Sequence, residues 1–198
     1  MMILEAVNIM LTAAGQFPAS QLDSGGTSYL SAAEVILKQK SREVQLEGWA
    51  FNTVPIQTLT RDSSNRIAIP AGVLEIATAG VSIATDAAQL GAWLQNRTDN
   101  TNTFDADQEV TVTYLYEFPC VPEHVAQLIA YRAAQTFNDS YGHAAKSGMI
   151  YANVVRAAGE AKMGDQRIER VNVLDTAEAR RVKGNRYKWS GQDSVPRF

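Results

Sequence analysis

Carboxylates are the one catalytic residue type in good supply. Asp105 and Asp107 flank Ala106 in a polar stretch, and Asp99 lies close by in sequence. A glycoside hydrolase works with two carboxylates held apart across a cleft, one of them with a raised pKa. This stretch is the candidate for such chemistry, and its plainer reading is a solvated acidic loop. The same pair could hold a hard cation such as calcium, but the spaced ligand pattern of a calcium loop is missing. The chain has two histidines, His124 and His143. His143, between Gly142 and Ala144, reads as a surface residue at a helix start.

Other constellations fail by type or spacing. There is no Gly-x-Ser-x-Gly elbow to expose a nucleophile. Gly25-Gly26 is followed neither by a Lys-Ser/Thr pair nor by the third glycine of a phosphate-cradling loop. His-x-x-x-His and His-Glu-x-x-His are absent, so zinc hydrolysis has no scaffold. The lone Cys120 permits no intrachain disulfide and no thiolate zinc site, and it fits a reducing compartment. The expectation is a protein without catalysis, cofactor or metal.

The strongest chemical signal is electrostatic. The formal net charge is −3, but it is unevenly spread. Residues 1–175 hold 12 Lys/Arg against 19 Asp/Glu, while residues 176–198 hold 6 against 2. Arg180, Arg181, Lys183, Arg186, Tyr187, Lys188 and Trp189 combine positive charge with flat aromatic rings. Such a segment can bind nucleic-acid backbone and bases. It can equally anchor on an acidic protein partner, where Arg, Tyr and Trp are the usual anchors. The third reading is a frayed terminus. Trp and Phe exposed in a tail, opposite in charge to the body, favour a docking arm.

Around these residues the pattern begins with helices. Leu4, Val7, Met10, Leu11 and Ala14 recur at helical spacing, with Gly15 placed to close the helix. This N-terminus has an apolar run but no basic residues before it, and Glu5 and Asn8 interrupt it, so no signal peptide is expected. No segment reaches the ~18 apolar residues of a membrane span. A turn-rich stretch over 18–26 leads to a helix over 28–47, with a buried stripe of Leu30, Ala33, Leu37 and Val44, and Gly48 ends it. Ser28 and Ser31 (with Glu34) are alternative starts.

The period then changes. Residues 49–59, 67–69, 73–77 and 81–84 are short β-type runs separated by turn residues. The clearest strand covers 109–118, with Val110, Val112, Tyr114, Tyr116 and Phe118 on one face. Residues 95–108 read as an exposed loop. Helices return at Pro122, with a stripe of Val125, Leu128, Ile129, Ala133 and Phe137, and over 144–163, with Ile150, Val154, Val155 and Ala158. From Gly164 the chain is polar. The expected class is α+β: a helical bundle (1–48 and 121–163) with an inserted small antiparallel β domain (49–120) and an extended C-terminal arm (164–198) for docking.

Several of these residues fall in a familiar order. Ala6-Val7-Asn8, Ala14-Gly15, Pro18 before Ser20-x-Leu22, then a long helix closing in Gly48-Trp49-Ala50-Phe51-Asn52, resemble the tail tubular protein A family. These are the head-to-tail adaptors of short-tailed phages of the autographivirus type. Ala133 and Phe137-Asn138 match the family's later part. The resemblance is sharp over residues 6–52 and 122–138 and extends over the rest in element order only. It implies a virion protein assembled in the host cytoplasm, one copy of a ring of about twelve. Portal protein would lie above the ring and the tail nozzle (tubular protein B) below, with fibres near the lower junction and double-stranded DNA passing through the bore. On this reading the basic residues 180–189 clasp the portal. Two other functions remain open from residues alone: a virion-associated glycan hydrolase acting through Asp105 or Asp107, and a nucleic-acid-binding module using the tail.

Overall fold

The structure, a computed structural model, describes residues 1–22, 28–78, 86–142 and 147–175. The expected strand over 81–84, His143 and the basic segment 180–189 lie outside these residues. Helix α1 covers Ile3–Ala13, and Gly15 beyond it takes φ 78°, as a left-handed closing residue should. Asn8 pins the chain that follows by accepting the Ala19 N–H at 2.7 Å and donating to its carbonyl at 3.0 Å. Helix α2 covers Ser28–Gln45. Helix α3, Glu123–Tyr141, begins one residue after Pro122, whose missing N–H costs nothing at a helix start. It makes the extensive contacts with α1, α2 and α4 (Ser147–Asp175). Buried between several neighbours, α3 is apolar on more than one face: Val125, Ala126, Leu128, Ile129, Ala130, Ala133, Ala134 and Phe137 are all in the core. The alanines allow close helix approach.

Between α2 and α3 lies the β layer. Strands β1 (Thr53–Leu59), β5 (Gln108–Tyr114) and β2 (Val73–Thr78) form an antiparallel sheet in the order β1-β5-β2. Pro55 sits in β1, an edge strand, where the register slips between Val54 and Gln57. An edge or a bulge is where a residue without an N–H is tolerated. Strands β3 (Ala87–Leu90) and β4 (Trp93–Asn96) form a separate hairpin. Gly91, first of its two turn residues, has φ 63°, which a type II′ turn requires. Leu59, Ile67, Ile76, Leu94, Phe104, Val110 and Val112 close a second core, distinct from the helical one. The class is therefore α+β, as the segregated sequence pattern implies.

Three expectations need correction. The strand over 109–118 stops at Tyr114; Phe118 opens a short 3-10 turn, Phe118–Cys120, and buries in the helical core. Pro119 has no N–H for a sheet ladder. The loop expected over 95–108 contains the end of β4 and a bridge from Asn96 to Thr101, and it buries Phe104. Finally, α4 runs through Gly164 to Asp175, so residues 164–175 are helix and not extended arm. A Cβ at position 164 would stand 2.6 Å from Cδ2 of His124. Gly164 is thus the place where α4 crosses the start of α3, not a stop.

Candidate assembly surfaces and the junction behind them

Several hydrogen bonds that fix the β layer against the helices converge on the turn after α2. Gly48 takes φ 74°, a conformation easy only for glycine, and reverses the chain. Trp49 then returns to the helical core, 5% exposed, and its indole N–H donates to the Val44 carbonyl at 2.7 Å. Asn52 is fully enclosed and acts as a three-way tie. Its Oδ1 accepts the Trp49 N–H at 2.9 Å, and its Nδ2 donates to the carbonyls of Gln45 (2.8 Å) and Tyr114 (2.9 Å). Gln45, also fully enclosed, binds both backbone groups of Tyr116: Oε1 accepts its N–H at 2.8 Å, and Nε2 donates to its carbonyl at 2.9 Å. From the far side, Asp165 of α4 accepts the Ala50 N–H at 2.8 Å. Buried amides hold their position because every unmet group is costly. The β-type run expected over 49–59 begins only at Thr53, because residues 50–52 form a turn. Gln45 and Asp165 are additions to what the sequence suggests, and Asp165 lies in the stretch expected to be arm.

The sequence-predicted acids do not converge in a deep cleft. Asp105 and Asp107 border an open hollow of about 540 Å³ with Thr58, Arg61 and Glu109. Both are exposed, and Asp107 Oδ1 accepts the Arg61 backbone N–H at 3.1 Å. Neither carboxyl is enclosed or set opposite the other across a cleft, as the pair of a glycoside hydrolase would be. Asp99 accepts from the Asn96 amide at 3.1 Å and organises its own turn. Asp62 does the same in the next loop: Oδ1 accepts the N–H groups of Ser64 (2.8 Å) and Arg66 (2.9 Å). The Arg66 backbone N–H is the largest influence holding the Asp62 carboxyl below its ordinary range. His124 is half-buried against Gly164, its Nε2 enclosed without a hydrogen-bond partner among the described residues. Cys120 is exposed rather than packed. Among the described residues no group of three or more potential ligands gathers around a metal position. No helix among them is long and apolar enough to cross a membrane.

What the described surface offers instead is apolar contact area. On α4, Met149, Tyr151, Val155 and Met163 are between 54% and 65% exposed. A shallow groove of about 410 Å³ between α1, α3 and α4 is lined by Ile9, Ala13, Tyr131, Ala134, Met149 and Ile150. On the β layer, Val54 and Ile56 of β1 and Leu90 of the hairpin face outward. Isolated exposed apolar residues are ordinary, but several on one helix mark a contact surface.

The described residues thus make an α+β body with a buried hydrogen-bonded tie between helices and sheet and apolar residues turned outward. The family model for tail tubular proteins matches residues 4–184, and the chain belongs to that family. It is a structural component of a phage tail, carried in the virion as part of an oligomeric assembly. No curated protein matches the chain.

Proposed function

We propose that the chain is one subunit of a head-to-tail connector ring, with about twelve copies seated between portal protein above and tail nozzle (tubular protein B) below. The ring encloses part of the channel through which double-stranded DNA leaves, and fibres attach near its lower edge. It forms in the host cytoplasm and stays in the virion neck. The observation that carries this reading, beyond family membership, is the division of charge: 12 Lys/Arg against 19 Asp/Glu over residues 1–175, and 6 against 2 over 176–198. An acidic body repels phosphate, so DNA slides through a bore without sticking. The segment beyond Asp175, with Arg180, Arg181, Lys183, Arg186, Tyr187, Lys188 and Trp189, carries the charge and aromatic anchors to clasp the portal. Residues 1–48 and 121–175 form the bundle unit, and residues 49–120 the β unit hung from it.

Sedimentation velocity of the chain mixed with its cognate portal ring tests this. A single heavier species, with a ring of added density below the portal in electron micrographs, is the expected result. Portal and chain sedimenting independently at every salt concentration would overturn it.

A further inference from the structure

The outer face of α4 carries a feature that no other described residue uses. Opposite its buried residues Ile150, Ala157 and Ala161, the helix presents Ala152, Val155, Gly159 and Met163, spaced so that they share one side. Val155 and Met163 are each more than half exposed. Gly159 lies mid-helix on this side, and no described atom comes within 4 Å of where its Cβ would stand. Glycine in a helix interior weakens the helix relative to alanine, and among the described residues nothing lies close enough to require it. A closely approaching partner surface would.

Charge indicates what that surface is. Lys162 and Arg167 on α4 are exposed, and Arg156 pairs with Glu160 at 3.1 Å. Asp165 is turned inward to Ala50. The outward side of α4 is thus apolar with a cationic margin. The β layer has the complementary character: residues 53–114 hold 7 Asp/Glu against 3 Arg, and Val54, Ile56 and Leu90 of the same layer are exposed. We propose that the outer face of α4 seats on the β layer of a second copy of this chain, with Gly159 admitting the close approach. Two different faces in contact make a head-to-tail interface, which closes into a ring when the rotation permits. The inference rests on the ring reading above and assigns its lateral contact.

The test uses the full chain with Cys120→Ser, so that only introduced thiols react. One preparation carries Val155→Cys and a second Ile56→Cys. Mixed in concentrated solution and oxidised, they should give a product of twice the chain mass, which no contact within one chain can produce. Independently, Gly159→Leu should keep or raise the melting temperature, because leucine favours helix, yet lose at least tenfold in assembly on the portal ring. If wild type assembles on portal but the mixed crosslink is absent and Gly159→Leu assembles normally, this contact is wrong and the adaptor reading stands. If wild type does not assemble on portal and the cysteine mixture gives no crosslink, both fall. A crosslink joining Val155→Cys only to itself would replace the proposed interface with a face-to-face one and overturn it.

Discussion

Asp165 accepts the backbone N–H of Ala50 across 115 residues of sequence, at 2.8 Å. The longest helix is thereby fastened to the turn from which the β layer hangs. The acid is half-buried, so the bond is partly shielded from water. Asp165→Ala should lower stability by about 1–2 kcal/mol, the range for a hydrogen bond to a charged acceptor after allowing for solvent. Chemical denaturation measures the loss. Hydrogen exchange at Ala50 should accelerate more than at core amides of α3, and equal acceleration everywhere would argue against a local tie.

Gly164 and His124 form a second crossing point. Gly164→Ala places a methyl 2.6 Å from Cδ2 and 2.8 Å from Nε2 of a ring that is not the free end of a flexible chain. We expect a net loss of about 1–2 kcal/mol, because the overpacking cost outweighs the gain in helix propensity. In a His124→Ala background the sign should reverse, and Gly164→Ala should then stabilise. A double-mutant cycle by thermal or urea melts reads this coupling. Additive effects would mean that the two residues do not bear on each other.

The loop closed by Asp62 should respond to acid. Its carboxyl lies below the ordinary range because it accepts backbone N–H groups from Arg66 and Ser64 when ionised. A folded-state value below the unfolded one gives stabilisation that is present above the ordinary carboxylate pKa of about 4 and lost as pH falls through the folded value. Protection factors at the Ser64 and Arg66 amides, which refer each exchange rate to the intrinsic rate at that pH, should therefore be high near neutrality and fall below about pH 4. Asp62→Asn should show low protection at both pH values. A wild type with no such fall would remove the carboxylate's role.

Deleting residues 180–198 should weaken portal association at least tenfold while leaving the melting temperature of the body within a few degrees. Trp189→Ala should account for a large share of that loss, since aromatic anchors dominate interfaces. Fluorescence anisotropy with duplex DNA serves as the counter-test. Tight, salt-dependent DNA binding lost on the same deletion would favour nucleic acid over portal as the partner.

The sequence announced the elements whose signals were local. Gly48, Trp49 and Asn52 could be read as a helix stop, a core aromatic and a turn amide, and the structure uses them so. The hairpin of β3 and β4 was missed because Ala87, Ala88, Gln89 and Leu90 show no alternation, and their pairing depends on a partner strand instead. Phe104 was hidden among Asn, Thr and Asp, yet it is 3% exposed. Gly164 misled for a different reason. Glycine signals both an ending and a close approach, and only the distance to His124 distinguishes them. The acids Asp105 and Asp107 were visible, but their exposure and the bond from Arg61 were not.

The helical core and the sheet core are separate apolar clusters, bridged by the side-chain amides of Gln45 and Asn52. Apolar surfaces slide over each other with gradual loss, whereas hydrogen bonds are directional and short in range. The set of the sheet on the helices is therefore fixed in direction as well as distance, by a few buried amides where a shared apolar core would have left it adjustable.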